Sequence, residues 1–442
     1  MATESRVLPQ IEVSLPQVNG TVRVSTSTVG WRRLLGFLGP GFLIAVGYMD
    51  PGNWATDIAG GSRFGYKLLF VIMLSNLMAI LLQSLSLKLG VVTERDLAQM
   101  CRDAYGRNVS VALWVAAEVA IAACDLAEVI GSAIALNLLF QIPLLVGVLI
   151  TGLDVLLVLM LQRWGFRWIE ALVITLIGTI IAMFGIQMLL SRPEYGAAFA
   201  SMMIPSAQIV TNPRMLYIAI GILGATVMPH NLYLHSSIVQ SRGYSRSPEG
   251  KREAIFMANV DSALALMIAL FVNAAILIVA AAVFHTRGLF EIAAIEDAYK
   301  LLSPLVGASF ASTLFAVALL ASGQNSSITG TLAGQIVMEG FIHIKIKPWK
   351  RRMMTRAVAI VPTFLVVAIA GSQGTEKLLI LSQVILSLQL SFAVVPLVMF
   401  TGNRKYMGEF VNGAWLQRLA WLTTVVIIGL NAWLLIQTIM GG

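Results

Sequence analysis

The sequence predicts an all-α polytopic membrane protein made of two five-helix halves inserted in opposite orientations, and three observations predict it. Hydrophobic residues make up 58% of the 442 positions and charged residues 12%, with a mean hydropathy of +0.83. A soluble domain carries roughly a quarter charged residues, so soluble classes are excluded. The second observation is a series of apolar runs long enough to cross a bilayer, which takes about 20 residues each. The third is a pair of breaks inside two of those runs, Asp50-Pro51-Gly52-Asn53 and Met228-Pro229-His230-Asn231.

Taken in order, the runs place helices near 34–58, 66–90, 110–140, 144–162, 168–190, 214–240, 258–284, 306–334, 355–371, 376–400 and 417–438. That makes eleven spans. The breaks fall in the first and sixth, and an offset of five spans turns the second half upside down relative to the first. The expected units are a disordered cytoplasmic tail at 1–30, a first five-helix repeat at 31–190, an inverted second repeat at 191–400 and an additional eleventh helix within 401–442. Small-residue stretches such as Gly60-Gly61 and Gly131–Ala135 allow helices to approach closely.

A net charge of +8 raises the question of a nucleic-acid partner. With the N-terminus in the cytoplasm, Arg63, Lys67, Arg192, Arg214, Arg287, Lys300 and Lys377 lie outside and the rest of the 30 lysines and arginines lie on or near the inner side. The positive-inside bias accounts for the excess without nucleic acid. It implies a multi-pass protein of the cell inner (plasma) membrane, with the N-terminus cytoplasmic and the C-terminus extracytoplasmic. Residues 1–30 lack the apolar core of a signal peptide, so the first span is an uncleaved start-transfer helix. Cys101 and Cys124 form neither a disulfide framework nor a metal-ligand spacing, and Cys124 reads as a small packing residue.

Proline removes a backbone donor and clashes with the preceding turn, so each break opens its helix and frees carbonyls. In a membrane such groups are tolerated where protein buries them or a cavity hydrates them, and paired interrupted spans mark a transporter site at the midplane. Asp50 places a carboxylate there, expensive unless a cation or proton compensates it; a helix cap for the following half-helix is the plain structural reading. Asn53 adds an amide oxygen. The carboxyl-terminal ends of the half-helices, near Gly47 and Ala225, add carbonyls at the negative end of a dipole. The set points to a cation. Met228, one residue before Pro229, adds a thioether that favours softer transition metals over Mg²⁺ and Ca²⁺, although a methionine in an apolar helix usually packs.

His230 titrates in the physiological window and reads as a proton acceptor rather than a ligand. His235 reads as an inner-gate or packing residue. Glu118, Asp125 and Glu128 fall within about 80° of one another on the third span. Such an acidic stripe resembles a proton path, and the alternative is pairing with a buried arginine, for which Arg356 is the candidate. Gln83, Ser382-Gln383, Gln389 and the run Gly323–Ser327 are polar groups that either ligate or join helices.

The motifs Gly47-Tyr48-Met49-Asp50-Pro51-Gly52-Asn53, Gly224-Ala225-Thr226-Val227-Met228-Pro229-His230, Asp125-Leu126-Ala127-Glu128-Val129-Ile130-Gly131, Ala321-Ser322-Gly323 to Gly334 and Leu381-Ser382-Gln383-Val384 resemble the signatures of the natural resistance-associated macrophage protein (Nramp) family, in its bacterial, proton-coupled divalent-metal branch. The resemblance implies a LeuT-type 5+5 inverted repeat with broken helices 1 and 6, and import of Mn²⁺ or Fe²⁺ together with protons. It carries metal binding onto Asp50, Asn53, the Ala225 carbonyl and Met228, with Gln383 approaching in the occluded state. It carries the proton pathway onto His230, Asp125, Glu128 and Arg356. Two departures stand out. Thr355-Arg356 replaces the two consecutive arginines of many bacterial relatives, and Gly47 stands where alanine is common, a change without consequence if its carbonyl alone matters.

The reading is a proton-coupled importer of divalent transition metal, Mn²⁺ first and Fe²⁺ next, working by alternating access. Its partners are the metal ions, protons and the lipid bilayer, with no cofactor, nucleic acid or obligate protein partner. A passive divalent-cation channel and a sodium-coupled organic-solute symporter are the competing classes; the acidic stripe opposes the first and Met228 the second. No nucleophile paired with a base is visible, so an enzyme is not expected.

Overall fold

The computed structural model describes residues 14–16, 18–24, 31–153, 165–342 and 348–441. The second part of the expected fourth span, with Arg163, and the loop lysines Lys345 and Lys347 lie outside the described residues. The first expected span divides into α1 (Trp31–Phe37), α2 (Pro40–Gly47) and α3 (Pro51–Phe64). It is followed by α4 (Leu69–Thr93), α5 (Leu97–Ala104), α6 (Arg107–Phe140) and α7 (Leu144–Ile150), and then by α8 (Phe166–Ser191), α9 (Tyr195–Met203) and α10 (Gln208–Thr211). The second broken span is α11 (Pro213–Thr226) and α12 (Pro229–Ile238). After it come α13 (Pro248–Val283), α14 (Ile295–Val306), α15 (Ala311–Ile342), α16 (Pro348–Thr401), α17 (Arg404–Met407) and α18 (Ala414–Gly441).

Among the described residues, seven helical stretches are long and apolar enough to cross a membrane. The seven include the second broken span taken whole, Pro213–Ser241, and α3 run together with α4 as Pro51–Thr93, whereas α15 carries the polar run from Gln324 to Ser327 that lowers its hydropathy. The expected ninth and tenth spans are the two arms of α16, which meet at Gly371 with φ 59°. That left-handed backbone suits glycine and breaks the helical path.

Prolines start the second half-helix of each broken span. Pro51 and Pro229 occupy the first turns of α3 and α12, where a missing N–H costs nothing and φ is already helical. The broken helices are central. α13 packs along α2, α3 and α4, α16 along α6 and α11, and α15 along α6 and α8. Trp54, fully buried on α3, meets Phe184 and Phe315 edge-on at centroid distances of 4.8 and 5.1 Å, a geometry worth about 0.5–1.5 kcal/mol each beyond area burial. Small residues do bring helices together: a Cβ on Gly131 would lie 2.2 Å from the Pro51 ring, and one on Gly61 would lie 2.4 Å from the Leu277 carbonyl.

The disordered tail expected at 1–30 is corrected in part. Val22–Arg23 (β1) pairs in parallel with Arg242–Gly243 (β2), and Ser14, Leu15 and Val22 are buried. Ser14 Oγ donates to Asp96 Oδ2 at 2.5 Å and lies 2.7 Å from Ser237 Oγ. Asp96 in turn caps α5 in a reciprocal box with Gln99, and Leu97 N donates to Ser236 Oγ at 2.9 Å. Composition alone reads this segment as solvated, because a handful of contacts to distant residues holds it.

Candidate functional site

At the first break, Asp50 caps α3. Its Oδ1 accepts from Asn53 N at 2.8 Å, while Oδ2 has no hydrogen-bond partner among the described residues. The cap and the ligand readings therefore use different oxygens of one carboxylate. Asn53 donates through Nδ2 to the Tyr48 carbonyl at 2.7 Å, which leaves its Oδ1 without a partner. The open turn is held by groups that the sequence alone did not single out: Asn273 Nδ2 donates to the same Tyr48 carbonyl at 2.8 Å, and Ser322 Oγ to the Met49 carbonyl at 2.5 Å. Trp54 Nε1 adds a bond to Met49 O at 3.2 Å.

The second break faces the first. A Cβ on Gly47 would lie 2.3 Å from Asn231 Nδ2 and 3.2 Å from Met228 Sδ, so glycine at 47 has a consequence: it lets the second break approach the end of α2. α16 closes the third side. Gln383 stands so near Gly52 that a Cβ there would lie 1.7 Å from its Nε2, and its backbone carbonyl would lie 2.1 Å from a Cβ on Gly224. One residue of α16 thus touches both broken spans. Asp50, Ala225, Met228 and Gln383 are completely buried and Asn53 almost so, so solvent does not reach this set of groups. Gln383 Nε2 donates to Ser382 Oγ at 3.1 Å and its Oε1 is unpartnered.

A buried carbonyl-type oxygen without a donor costs free energy. Three of them lie on Asp50 and Asn53 at the first break and on Gln383, which touches both breaks, while the Met228 thioether approaches the end of α2 at Gly47. A cation would satisfy all three, whereas an anion would meet the same oxygens unfavourably. Among the described residues no group of three or more His, Cys, Asp and Glu forms a metal cluster, so Asp50 is the one carboxylate in this donor set.

Beneath the site, His235 Nδ1 donates to Gln83 Oε1 at 2.9 Å and Gln83 Nε2 donates to Tyr48 Oη at 2.9 Å. The His235 side chain thus belongs to a polar chain under the first break. On α6, Cys124 does pack, in a buried group with Ala120, Met228 and Leu386. Its Sγ also lies 3.7 Å from Glu128 Oε1 and 3.8 Å from His230 Nε2, a link that the residue's apolar character concealed. Arg356 is buried and donates through Nη1 to Glu128 Oε2 and to the Asp125 carbonyl, both at 3.4 Å, and through Nη2 to Ser327 Oγ. The acid and the arginine of the sequence reading therefore form one ion pair. Asp125 is also buried, whereas Glu118 is half-buried nearer the start of α6 and accepts from Trp114 Nε1 at 3.1 Å. Asn325 Nδ2 reaches the Val173 carbonyl at 3.4 Å, which makes that part of the polar run an interhelical bond.

The sequence profile of the family described as natural resistance-associated macrophage protein-like matches residues 41–437. The chain belongs to the Nramp family. It is 60% identical over 433 residues to a divalent metal cation transporter MntH of Nostoc sp., covering 98% of each chain. Among solved structures it resembles the manganese transporter of Eremococcus coleocola, with a TM-score of 0.88 and 44% identity over 95% of this chain and 90% of that one. The nucleobase-cation-symport-1 transporter Mhp1 superposes with a TM-score of 0.61 at 16% identity, over 95% and 93% of the two chains. That likeness concerns the fold alone, and the Nramp chain shares its LeuT-type architecture.

Proposed function

We propose that this Nramp protein imports divalent transition metal, Mn²⁺ first and Fe²⁺ next, together with protons, by alternating access of the buried pocket between α2–α3, α11–α12 and α16. The observation that carries the reading is Gln383. It touches both breaks and, like Asp50 and Asn53 at the first break, carries a buried oxygen without a partner, with the Met228 thioether in the second break. In this reading Asp50, Asn53, the Ala225 carbonyl, Met228 and Gln383 hold the metal as substrate. A mixed oxygen and sulfur shell favours a transition metal over Mg²⁺ or Ca²⁺.

Proton movement is assigned to His230, Asp125, Glu128 and Arg356, with Glu118 about two turns before Asp125 on α6. The contacts from His230 through Cys124 to Glu128 and Arg356 support a continuous route. The membrane arrangement belongs to the same proposal: eleven spans, the N-terminus cytoplasmic and the C-terminus outside, in the plasma membrane. No cofactor, enzymatic step or obligate protein partner enters. The names of the relatives, a divalent metal cation transporter and a manganese transporter, agree with this substrate class.

The test is uptake into proteoliposomes under an imposed pH gradient with a panel of divalent ions. Accumulation of Mn²⁺ against its own gradient, lost when the pH gradient is collapsed, is the expected result. Uptake that stops at equal concentrations would make the protein a passive channel, and dependence on Na⁺ would move it to the symporter class.

A further inference from the structure

Away from the metal pocket, a cavity of about 470 Å³ opens between α4, α11 and α18. Its volume is within the range of small-molecule sites. Apart from the hydroxyls of Ser75 and Ser206, its lining is apolar, with Leu74 and Met78 on one wall, Ala219 and Leu223 on the floor, and Leu430 opposite. Water needs two to four polar partners to settle in a cavity, and this one cannot supply them along its length.

The depth of the cavity is that of one leaflet. It runs from Pro205–Ala207, in the loop between α9 and α10, to Met78, nine residues below the start of α4. At 1.5 Å per residue this is about 14 Å, half of a hydrocarbon core of about 30 Å. Leu74 and Val210 on its edge are exposed to the surroundings of the bundle, which in a chain spanning a bilayer are lipid. The rim carries a cation. Lys67 is exposed one turn before Phe70, and its Nζ donates to Gln208 Oε1 at 3.0 Å, beside the lining residues Ala207 and Ile209. An ammonium above an apolar slot one leaflet deep matches a phosphodiester above its acyl chain.

We propose that this groove is a phospholipid site, taking one acyl chain of the leaflet on the side where α11 begins, with the phosphate at Lys67. The floor of the groove is α11, whose last residues, Ala225 and Thr226, end at the second break. A chain lodged on Leu216, Ala219, Ile220 and Leu223 therefore rests on the half-helix that ends at the metal pocket. The site does not depend on which ion is carried.

The test is photo-crosslinking of the full chain in lipid nanodiscs with a phosphatidylglycerol bearing a diazirine in one acyl chain, followed by peptide mapping. Adducts should concentrate on the 70–78 and 216–223 segments of α4 and α11 and exceed those on α8, which also faces lipid through Trp168 and Leu189. Ala219→Trp fills the floor and should remove the groove adducts while leaving those on α8 unchanged. Ala207→Trp at the exposed rim gives the same reading if the buried substitution fails to fold. Lys67→Ala should reduce the groove adducts alone. Equal labelling of α8 and the groove, or groove adducts that persist in both filled variants, would overturn the proposal.

Discussion

A single methyl group at Gly52 tests whether Gln383 belongs to the metal pocket. Its Cβ would lie 1.7 Å from Gln383 Nε2, 2.3 Å from Cδ and 3.0 Å from Cγ. Non-bonded carbon contacts settle near 3.5–4.0 Å, so the amide has to retreat by about 2 Å. Overpacking of this kind costs about 1–3 kcal/mol, and the retreat also withdraws Oε1 from the neighbourhood of Asp50. Gln383→Ala removes the three nearest atoms, so alanine at 52 is relieved of this overlap and gains up to about 1 kcal/mol of helix preference over glycine. Each single variant should therefore weaken Mn²⁺ binding by about tenfold, near 1.4 kcal/mol, while the double variant should bind no worse than Gln383→Ala. The coupling energy in Mn²⁺ binding should then be about 1.4 kcal/mol, in the range of residues in direct contact. The assay is Mn²⁺ titration calorimetry of purified protein, with melting temperatures compared at one scan rate because unfolding of such chains is irreversible. Additive losses in the double variant would refute the shared contact. Unchanged Mn²⁺ affinity in Gln383→Ala would remove the amide from the shell.

Asp50→Ala should abolish Mn²⁺ uptake by proteoliposomes, and near-normal uptake would end the assignment of the carboxylate. Glu128→Gln leaves Arg356 buried against Ser327 and the Asp125 carbonyl, so it should cost about 3 kcal/mol of stability and slow proton flux more than it weakens Mn²⁺ binding; equal losses of both would place Glu128 in the metal shell. Met228→Ala should let excess Ca²⁺ or Mg²⁺ inhibit Mn²⁺ uptake more strongly than in the unsubstituted protein, and identical fractional inhibition would return Met228 to packing. Burial pushes the Asp96 carboxyl, in the loop after α4, from 3.8 up to about 6. An acid raised on folding stabilises fully below its unfolded value and loses that stabilisation as pH rises through the folded one, so the melting temperature should rise on acidification from pH 6 towards 4 relative to that of Asp96→Asn; parallel profiles would refute this.

The pocket was legible because it breaks rules that are strict in lipid. A proline inside an apolar run, a carboxylate beside it and a glutamine in an otherwise apolar span stand out residue by residue. The pairing of Glu128 with Arg356 was legible for the same reason, since each charge needs a partner at that depth. Contacts across the fold left no local signal. Asn273 and Ser322 hold the opened turn from helices more than two hundred residues away in sequence, and Cys124 reads as packing until His230 is seen beside it. α5 and α14 are short amphipathic helices outside the long apolar runs, so a search for spans passes over them. The consequence of Gly47 lay in the approach of Asn231 and Met228, which depends on tertiary distance.

The strap formed by residues 14–16 and 18–24 also fixes an order of assembly. Ser14 meets Ser237, 223 residues later in the chain, and β1 can pair only after β2 has been made. At about 5–20 residues per second of synthesis, the earliest residues wait roughly 10–45 s for their partners. During that interval the first five helices must enter the bilayer without this clasp. Its closure thus records that the second broken helix has been inserted with its end on the side where the chain began, which makes the clasp a late checkpoint of topology in biogenesis.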